Sequence, residues 1–196
     1  MNGQDLLLPF DSLNTDLRQA RRRALAGGGL VLSAAALALL GGRDALAAGS
    51  AANESDLRIL NSALGAELEA IAAYQLGADS GLLTKDVRPL AMTFQGHHKE
   101  HADALAATVR KLGGQAVTPK AKYGFPVDQL KNQADVLRFA AGLEKGAVSA
   151  YLGAVPLFGD RALAQVAASI LGDEAMHWAV LRQALGEAPV PAAFVS

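Results

Sequence analysis

Apolar residues recur at steps of three and four along four segments of the chain, the spacing that places side chains on one face of an α-helix. In order along the sequence, the predicted helices run over about Ser55–Gly77, Thr84–Leu112, Gln133–Val155 and Asp160–Leu185. Ser55 and Asp160 are residue types that commonly cap helix N-termini. The pattern predicts an all-α protein.

The connections between these segments differ in length. A few residues join the first helix to the second and the third to the fourth, and short joints make antiparallel neighbours. The middle connection, from Gly113 to Asn132, contains Pro119 and Pro126. About 15 extended residues span roughly 50 Å, enough to cross a bundle from end to end. The expected fold is a four-helix bundle of two antiparallel hairpins joined by a crossover.

Each apolar stripe is interrupted near its middle by one or two ionisable residues. The six interrupting residues are Glu67, His98, His101, Glu144, Glu174 and His177. Burying an isolated carboxylate costs several kcal/mol, roughly, even after relaxation. Because no lysine or arginine shares these stripes, the carboxylates need another cation, and divalent metal ions supply that charge.

The second half of the chain repeats the first. The matching pairs, offset by 76 or 77 residues, are Glu67 and Glu144, Tyr74 and Tyr151, His98 and Glu174, and His101 and His177. Two copies of one hairpin would face each other with approximate two-fold symmetry, which brings four sets of ligands to one point. Tyr74 and Tyr151 are expected to be core aromatic residues whose hydroxyls need hydrogen-bond partners. His97 could pair with His101 in place of His98, but His98 continues the stripe from Phe94. We therefore expect His97 to be a solvated residue or one that supports a ligand.

These residues resemble the ferritin-like superfamily of di-iron and di-manganese carboxylate proteins, in which two helices each give a Glu and two each give a Glu-x-x-His. Glu67 and Glu144 match the single glutamates, and Glu174 with His177 matches one Glu-x-x-His. His98 departs from the pattern, because it stands where the second Glu is expected. Among members of the superfamily, the chain most resembles bacterial exported ferritin-like proteins related to desiccation-associated proteins.

The resemblance implies two divalent metal ions, iron first, with manganese or zinc as alternatives. It also implies dioxygen or peroxide as a partner, in an oxidase or in iron handling. A competing hypothesis is a structural or stress-protective bundle with a static single metal or none. His98 enriches the site in nitrogen, which favours iron, zinc or copper over magnesium or calcium. A homodimer stays open.

The amino-acid composition excludes or disfavours several kinds of site, partner and fold. The chain has no cysteine, which excludes thiolate zinc sites, iron–sulfur clusters and disulfides. Its formal net charge of -1 gives no reason to expect nucleic acid as a partner. Of its residues, 51% are hydrophobic but only 5% aromatic, a balance that suits close-packed helices better than a β-sandwich.

The N-terminal region has the order of an export signal. Three arginines, Arg21 to Arg23, precede the apolar run Ala24–Leu40, and a small-residue cleavage signal follows at Ala45–Ala47. The pattern predicts a twin-arginine-type signal peptide over residues 1–47 and a mature domain over residues 48–196. The protein would then use the twin-arginine export machinery and be periplasmic or exported. The alternative is an inner-membrane anchor formed by an uncleaved signal.

Overall fold

The computed structural model describes the backbone of residues 34–195 and the side chains from residue 53 onward. The α-helices in this part of the chain are α1 Ala34–Asp79, α2 Val87–Lys111, α3 Gln133–Ala154 and α4 Arg161–Ala184. Short 3-10 turns cover Val127–Gln129 and Val155–Leu157, and residues 34–195 contain no strand. The prediction of an all-α four-helix bundle is therefore confirmed. The apolar core lies in the compact unit from Ala47 onward.

The first helix begins well before its predicted start. Ser55 was expected to cap it, but α1 already begins at Ala34, so that boundary is wrong. The stretch before Ser55 is rich in alanine, the strongest helix former, and α1 contains no proline. Residues 1–33 of the predicted signal lie outside the described residues, and the signal stays a prediction. Within the described residues, no helix combines the length and apolar character needed to cross a membrane.

Local chemistry explains the other helix ends. The side chain of Asn132 accepts a hydrogen bond from the Asp135 backbone N–H at the start of α3, and Asp160, as predicted, caps α4 in the same way. Gly113 and Gly186 follow α2 and α4 with φ values of 82° and 76°. Glycine adopts this left-handed conformation without steric cost, which ends both helices.

The long connection crosses the bundle as predicted. At its beginning, the Asn61 side chain on α1 donates to the Gln115 carbonyl at 3.0 Å and accepts from the Val117 N–H at 2.9 Å. At its end, the Gln133 side chain accepts from the N–H of Thr84 at 2.8 Å. Since Thr84 precedes α2, α3 begins where α2 begins. Helices α2 and α3 therefore run parallel, while each hairpin is antiparallel.

The apolar core consists of two clusters separated along the bundle. One cluster is built around Leu60, Leu64, Leu105, Val109 and Ile170, and the other around Tyr74, Phe94, Leu137, Ala141 and Leu181. In sequence, the six ionisable residues that interrupt the apolar stripes fall between members of the two clusters on every helix. A polar layer therefore divides the core, and the candidate site lies in that layer.

Candidate metal centre

The bundle brings together all six residues that interrupt the apolar stripes. Helices α1 and α3 contribute one glutamate each, and α2 and α4 contribute two residues each, spaced three apart and so on one face of the helix. Five of the six are buried, and the side chain of His101 is 15% exposed. Their arrangement is that of two overlapping groups with shared members.

Each group offers four ligand atoms that lie within 4.8 Å of one another. The first group consists of Glu67, His98, His101 and Glu174, and the second of His98, Glu144, Glu174 and His177. His98 and Glu174 belong to both groups. The site therefore has the layout of two adjacent ion positions with two shared residues between them.

The imidazole of His98 lies between the two single glutamates. Its Nδ1 is 2.7 Å from Oε2 of Glu67, and its Nε2 is 3.3 Å from Oε1 of Glu144. Each ring nitrogen thus faces a different group. A neutral imidazole has one free lone pair, so His98 can ligate an ion on one side only while its N–H donates to a carboxylate on the other.

Glu174 occupies the equivalent position in the other half of the repeat. Its Oε1 is 3.1 Å from Nδ1 of His101, and its Oε2 is 3.3 Å from Nδ1 of His177. The two carboxylate oxygens therefore face different histidines, one from each group. A carboxylate can serve both positions at once, which His98 cannot.

The polar atoms of this layer are not fully paired with one another. Among the side chains that the structure describes, five buried atoms make no hydrogen bond of good geometry: Nδ1 of His101, Oε2 of Glu144, both carboxylate oxygens of Glu174 and Nδ1 of His177. An unsatisfied buried polar group costs about 1–3 kcal/mol, more if charged. All four residues belong to the two groups, and oxygen and imidazole nitrogen are ligands for divalent transition metals. The residues present therefore fit metal ions.

Two tyrosines hold the single glutamates in place, each from the opposite hairpin. Tyr151 on α3 donates a 2.6 Å hydrogen bond to Oε1 of Glu67 on α1. Tyr74 on α1 donates to Oε1 of Glu144 on α3. Burial raises the pKa of both phenols, and the neighbouring carboxylates raise it further. Both hydroxyls therefore stay protonated and act as donors.

The carboxylates and histidines shift one another's protonation. Burial alone would lower the pKa of His98, but hydrogen bonds with Glu144 and Glu67 raise it to about 10. For the same reasons the pKa values of His101 and His177 rise to about 9. Without metal, these rings carry protons at neutral pH and balance the carboxylate charges. A metal ion must displace those protons.

The three glutamates respond differently to the same surroundings. Burial tends to raise the pKa of each, but hydrogen bonds from the histidines outweigh it at Glu67 and Glu144, where the pKa is lowered. At Glu174 burial prevails and the pKa is raised. Glu174 therefore retains a proton more readily than Glu67 or Glu144 does.

His97 and Asp173 lie just outside this layer. Nδ1 of His97 is 2.9 Å from Nε2 of His177 and 3.1 Å from Oδ2 of Asp173. The same Asp173 oxygen is 3.5 Å from Nε2 of His101. His97 belongs to neither four-residue group but contacts one of their members, and its side chain is 41% exposed.

An apolar groove opens onto the opposite side of the layer, between α1 and α3. Its volume is about 670 Å³. Small residues line its walls, among them Ala66, Ala70, Gly142, Gly146 and Ala150. Glu67, His98 and Glu144 also line the groove, so the buried layer is reached from this surface.

Two further side chains lie beside the site: Phe94, which continues the apolar stripe of its helix, and Gln95, which the sequence pattern did not single out. Gln95, although polar, is buried, and its side-chain amide donates to the Ile71 carbonyl at 3.0 Å. The ring of Phe94 stacks on that of His177, with centroids 4.1 Å apart. Gln95 fixes α2 against α1, and Phe94 limits the orientation of the His177 ring.

A comparison with known protein families identifies the family of this chain. The ferritin-like domain family matches residues 55–187, most of the chain. The protein belongs to the ferritin-like family. No curated protein matches the chain.

Solved structures share this ferritin-like fold. A conserved hypothetical protein, rv2844, from Mycobacterium tuberculosis superposes with a TM-score of 0.64 at 24% identity, covering 73% of this chain and 99% of that one. A ferritin-like, diiron-carboxylate protein from Bacillus anthracis gives 0.59 at 19% identity, covering 68% and 97%. A mycobacterial bacterioferritin gives 0.57 at 20% identity, covering 67% and 83%. At these identities the likeness shows the fold alone.

Proposed function

We propose that this protein binds two divalent metal ions in the polar layer and uses dioxygen or peroxide to oxidise iron. The observation that carries the proposal is the pair of overlapping four-residue groups that share His98 and Glu174. Iron is the expected metal, with manganese and zinc as alternatives. The diiron-carboxylate description of the Bacillus anthracis protein supports the same choice.

The charges of the layer suit this chemistry. Three buried carboxylates, Glu67, Glu144 and Glu174, offset most of the charge of two divalent ions while the histidines are neutral. Held by these residues, two Fe²⁺ ions would supply one electron each, enough with two protons to reduce dioxygen to hydrogen peroxide. The same two electrons and two protons would reduce hydrogen peroxide to two water molecules.

The groove between α1 and α3 provides a route for the oxidant. Its floor contains Glu67, His98 and Glu144, and its walls are small and apolar. Dioxygen is apolar and small enough to pass along such a surface. Bulkier side chains at Gly142 and Gly146 would narrow this route without contacting the ligands directly.

One feature favours a second function, that of a stress-protective bundle with a static metal. His98 replaces the carboxylate expected there, and a neutral imidazole cannot bridge two ions. If this substitution prevents the second ion from binding, a single Zn²⁺ would hold the layer together without turnover. The two functions predict different metal contents.

Metal analysis of the purified full chain, followed by anaerobic loading with Fe²⁺ and exposure to air, tests the proposal. We expect about two iron ions per chain and a rise in near-ultraviolet absorbance from ferric iron as dioxygen is consumed. A single tightly held zinc, or no oxidation above that of free Fe²⁺, would replace the proposed function with the static one.

For location, we propose export by the twin-arginine route, supported by the order of arginines, apolar run and small residues over residues 1–47. As that pathway is generally understood, it carries folded proteins. Metal could therefore be inserted before export. The competing proposal remains an uncleaved anchor in the inner membrane.

A further inference from the structure

At the solvent-facing edge of α2 and α4, three ligand atoms converge, two from residues outside the six-residue layer and one from a residue within it. They are Nδ1 of His97, Oδ2 of Asp173 and Nε2 of His177. Their separations are 2.9 Å between the two nitrogens, 3.1 Å from His97 to Asp173 and 3.2 Å from His177 to Asp173. These three residues are called the outer cluster below.

The separations are close to those that a metal ion requires. In a tetrahedral zinc site with bonds of about 2.0–2.1 Å, neighbouring ligand atoms lie about 3.3 Å apart. The outer cluster has three such atoms, and the 41% exposure of His97 leaves room for water as a fourth ligand. Two nitrogens and one oxygen form a set that favours zinc or copper over magnesium or calcium.

The internal repeat shows that this cluster arises from asymmetry between the two hairpins. His97 and Asp173 occupy equivalent positions, each directly before a shared residue of the layer. Asp173 contacts Nε2 of His101 at 3.5 Å, and His97 contacts Nε2 of His177. Had both halves carried Asp here, two carboxylates would meet at this edge. The imidazole of His97 turns the edge into a mixed nitrogen and oxygen set.

We infer that the outer cluster is a third divalent cation site, selective for a metal that prefers nitrogen, such as Zn²⁺ or Cu²⁺, and linked to the inner pair through the ring of His177. Nδ1 of His177 faces Glu174 in the layer, whereas Nε2 faces outward. To ligate ions on both sides, this ring must lose both of its N–H protons and bridge as an imidazolate, because a neutral imidazole has only one free lone pair. This inference rests on the proposed function only for the identity of the inner pair.

A zinc titration of the metal-free full chain, followed by native mass spectrometry and equilibrium dialysis, tests the site. We expect three Zn²⁺ per wild-type chain and two for His97→Ala or His97→Gln. Glu100→Gln, an exposed change on the same helix, is the matched control and should keep three. Anomalous X-ray scattering at the zinc edge should place the lost ion against His97 and Asp173.

The outcomes separate this inference from the proposed function. Two ions in both wild type and His97→Ala overturn the outer site and leave the inner pair in place. Three ions in both also overturn it, because the third ion then binds elsewhere. One ion in wild type and none in His97→Ala supports the outer site but removes the dinuclear centre. Circular dichroism of His97→Ala and His97→Gln would show whether each variant keeps its fold, so that a loss of binding is not mistaken for a loss of structure.

Discussion

The hydroxyl of Tyr151 donates a 2.6 Å hydrogen bond to Oε1 of Glu67, across 84 residues of sequence and between the two hairpins. Its counterpart, Tyr74, does the same for Glu144. Each hairpin thus positions the glutamate of the other. The pairing makes the geometry of the site depend on correct docking of the two halves.

Replacing Tyr151 with phenylalanine removes only this hydroxyl. We expect metal to bind about 10- to 100-fold more weakly, as for other groups that orient a ligand, with the number of ions unchanged. Competition against a chelator of known affinity measures the change. Tyr123→Phe, in the crossover and away from the layer, is the control. Equal affinities for Tyr151→Phe and wild type would show that the hydrogen bond does not orient Glu67.

Glu144 belongs to only one of the two four-residue groups. Glu144→Gln should therefore weaken metal binding at that group more than at the other. The amide keeps the size of the side chain but loses its charge. We expect the ion near His177 to be lost and the overall metal content to fall by half or more. Elemental analysis after dialysis measures this, with the exposed Glu54→Gln as control. Unchanged metal content would mean that the ions bind elsewhere.

Metal binding should depend on pH because protons occupy the same nitrogens. The pKa values of about 10 for His98 and about 9 for His101 and His177 mean that binding at neutral pH releases up to about three protons. Affinity should therefore rise with pH until about pH 9. Calorimetry in buffers of different ionisation enthalpy counts the protons. No proton release would contradict the charged state assigned to these rings.

Unlike metal affinity, the stability of the metal-free protein should fall at high pH. The folded-state pKa values of these histidines lie above the ordinary 6.5. The stabilisation of the folded state by their protonated rings is therefore complete below pH 6.5. It is lost as the pH rises through 9 to 10. The lowered pKa values of Glu67 and Glu144 contribute stability above pH 4.5 that is lost in acid. Urea unfolding at several pH values should show a maximum between these limits.

The side chain of Asp56 links α1 to the beginning of α4 by two hydrogen bonds. Its two carboxylate oxygens accept from the backbone N–H groups of Gly159 at 2.8 Å and Asp160 at 3.0 Å. Because Asp56 is buried, Asp56→Ala leaves these donors unpaired and should lower the free energy of unfolding by about 1–3 kcal/mol. Urea denaturation measures this, with the exposed Asp103→Ala as control. A loss equal to that of the control would show that water satisfies both donors.

The predicted export signal can be tested without altering the bundle. Changing Arg21, Arg22 and Arg23 to lysine preserves charge but removes the arginine pair that the twin-arginine pathway recognises. We expect the full chain to accumulate in the cytoplasm, as cell fractionation and immunoblotting would show. Continued export of the triple variant would rule out this route and favour a general secretory signal.

The sequence predicted the position of the layer well because helical periodicity is a local property. Glu67 and Glu144 each continue an apolar stripe, and the repeat implied that the two would meet. The contacts of Asp56 could not be predicted, because they join residues more than 100 positions apart. His97 shows a different limit. Periodicity gives the face of a helix but not the rotamer, and the rotamer decides whether the ring contacts His177.

The start of α1 was wrong for a related reason. Ser55 has the side chain of a cap, but a cap works only if the preceding residues leave the helix. Those residues are rich in alanine and contain no proline, so nothing ends the helix there. A capping residue marks a boundary only when a helix breaker accompanies it.

The two faces of the buried layer differ in polarity. The groove between α1 and α3 is lined mainly by alanine and glycine, whereas His97 and Asp173 border the layer between α2 and α4. Under the proposed function, apolar dioxygen would travel along the first face, and a hydrated cation would meet polar side chains at the second. The two reactants would then not compete for one passage. A bulky residue at Gly146 would narrow the route along the first face alone.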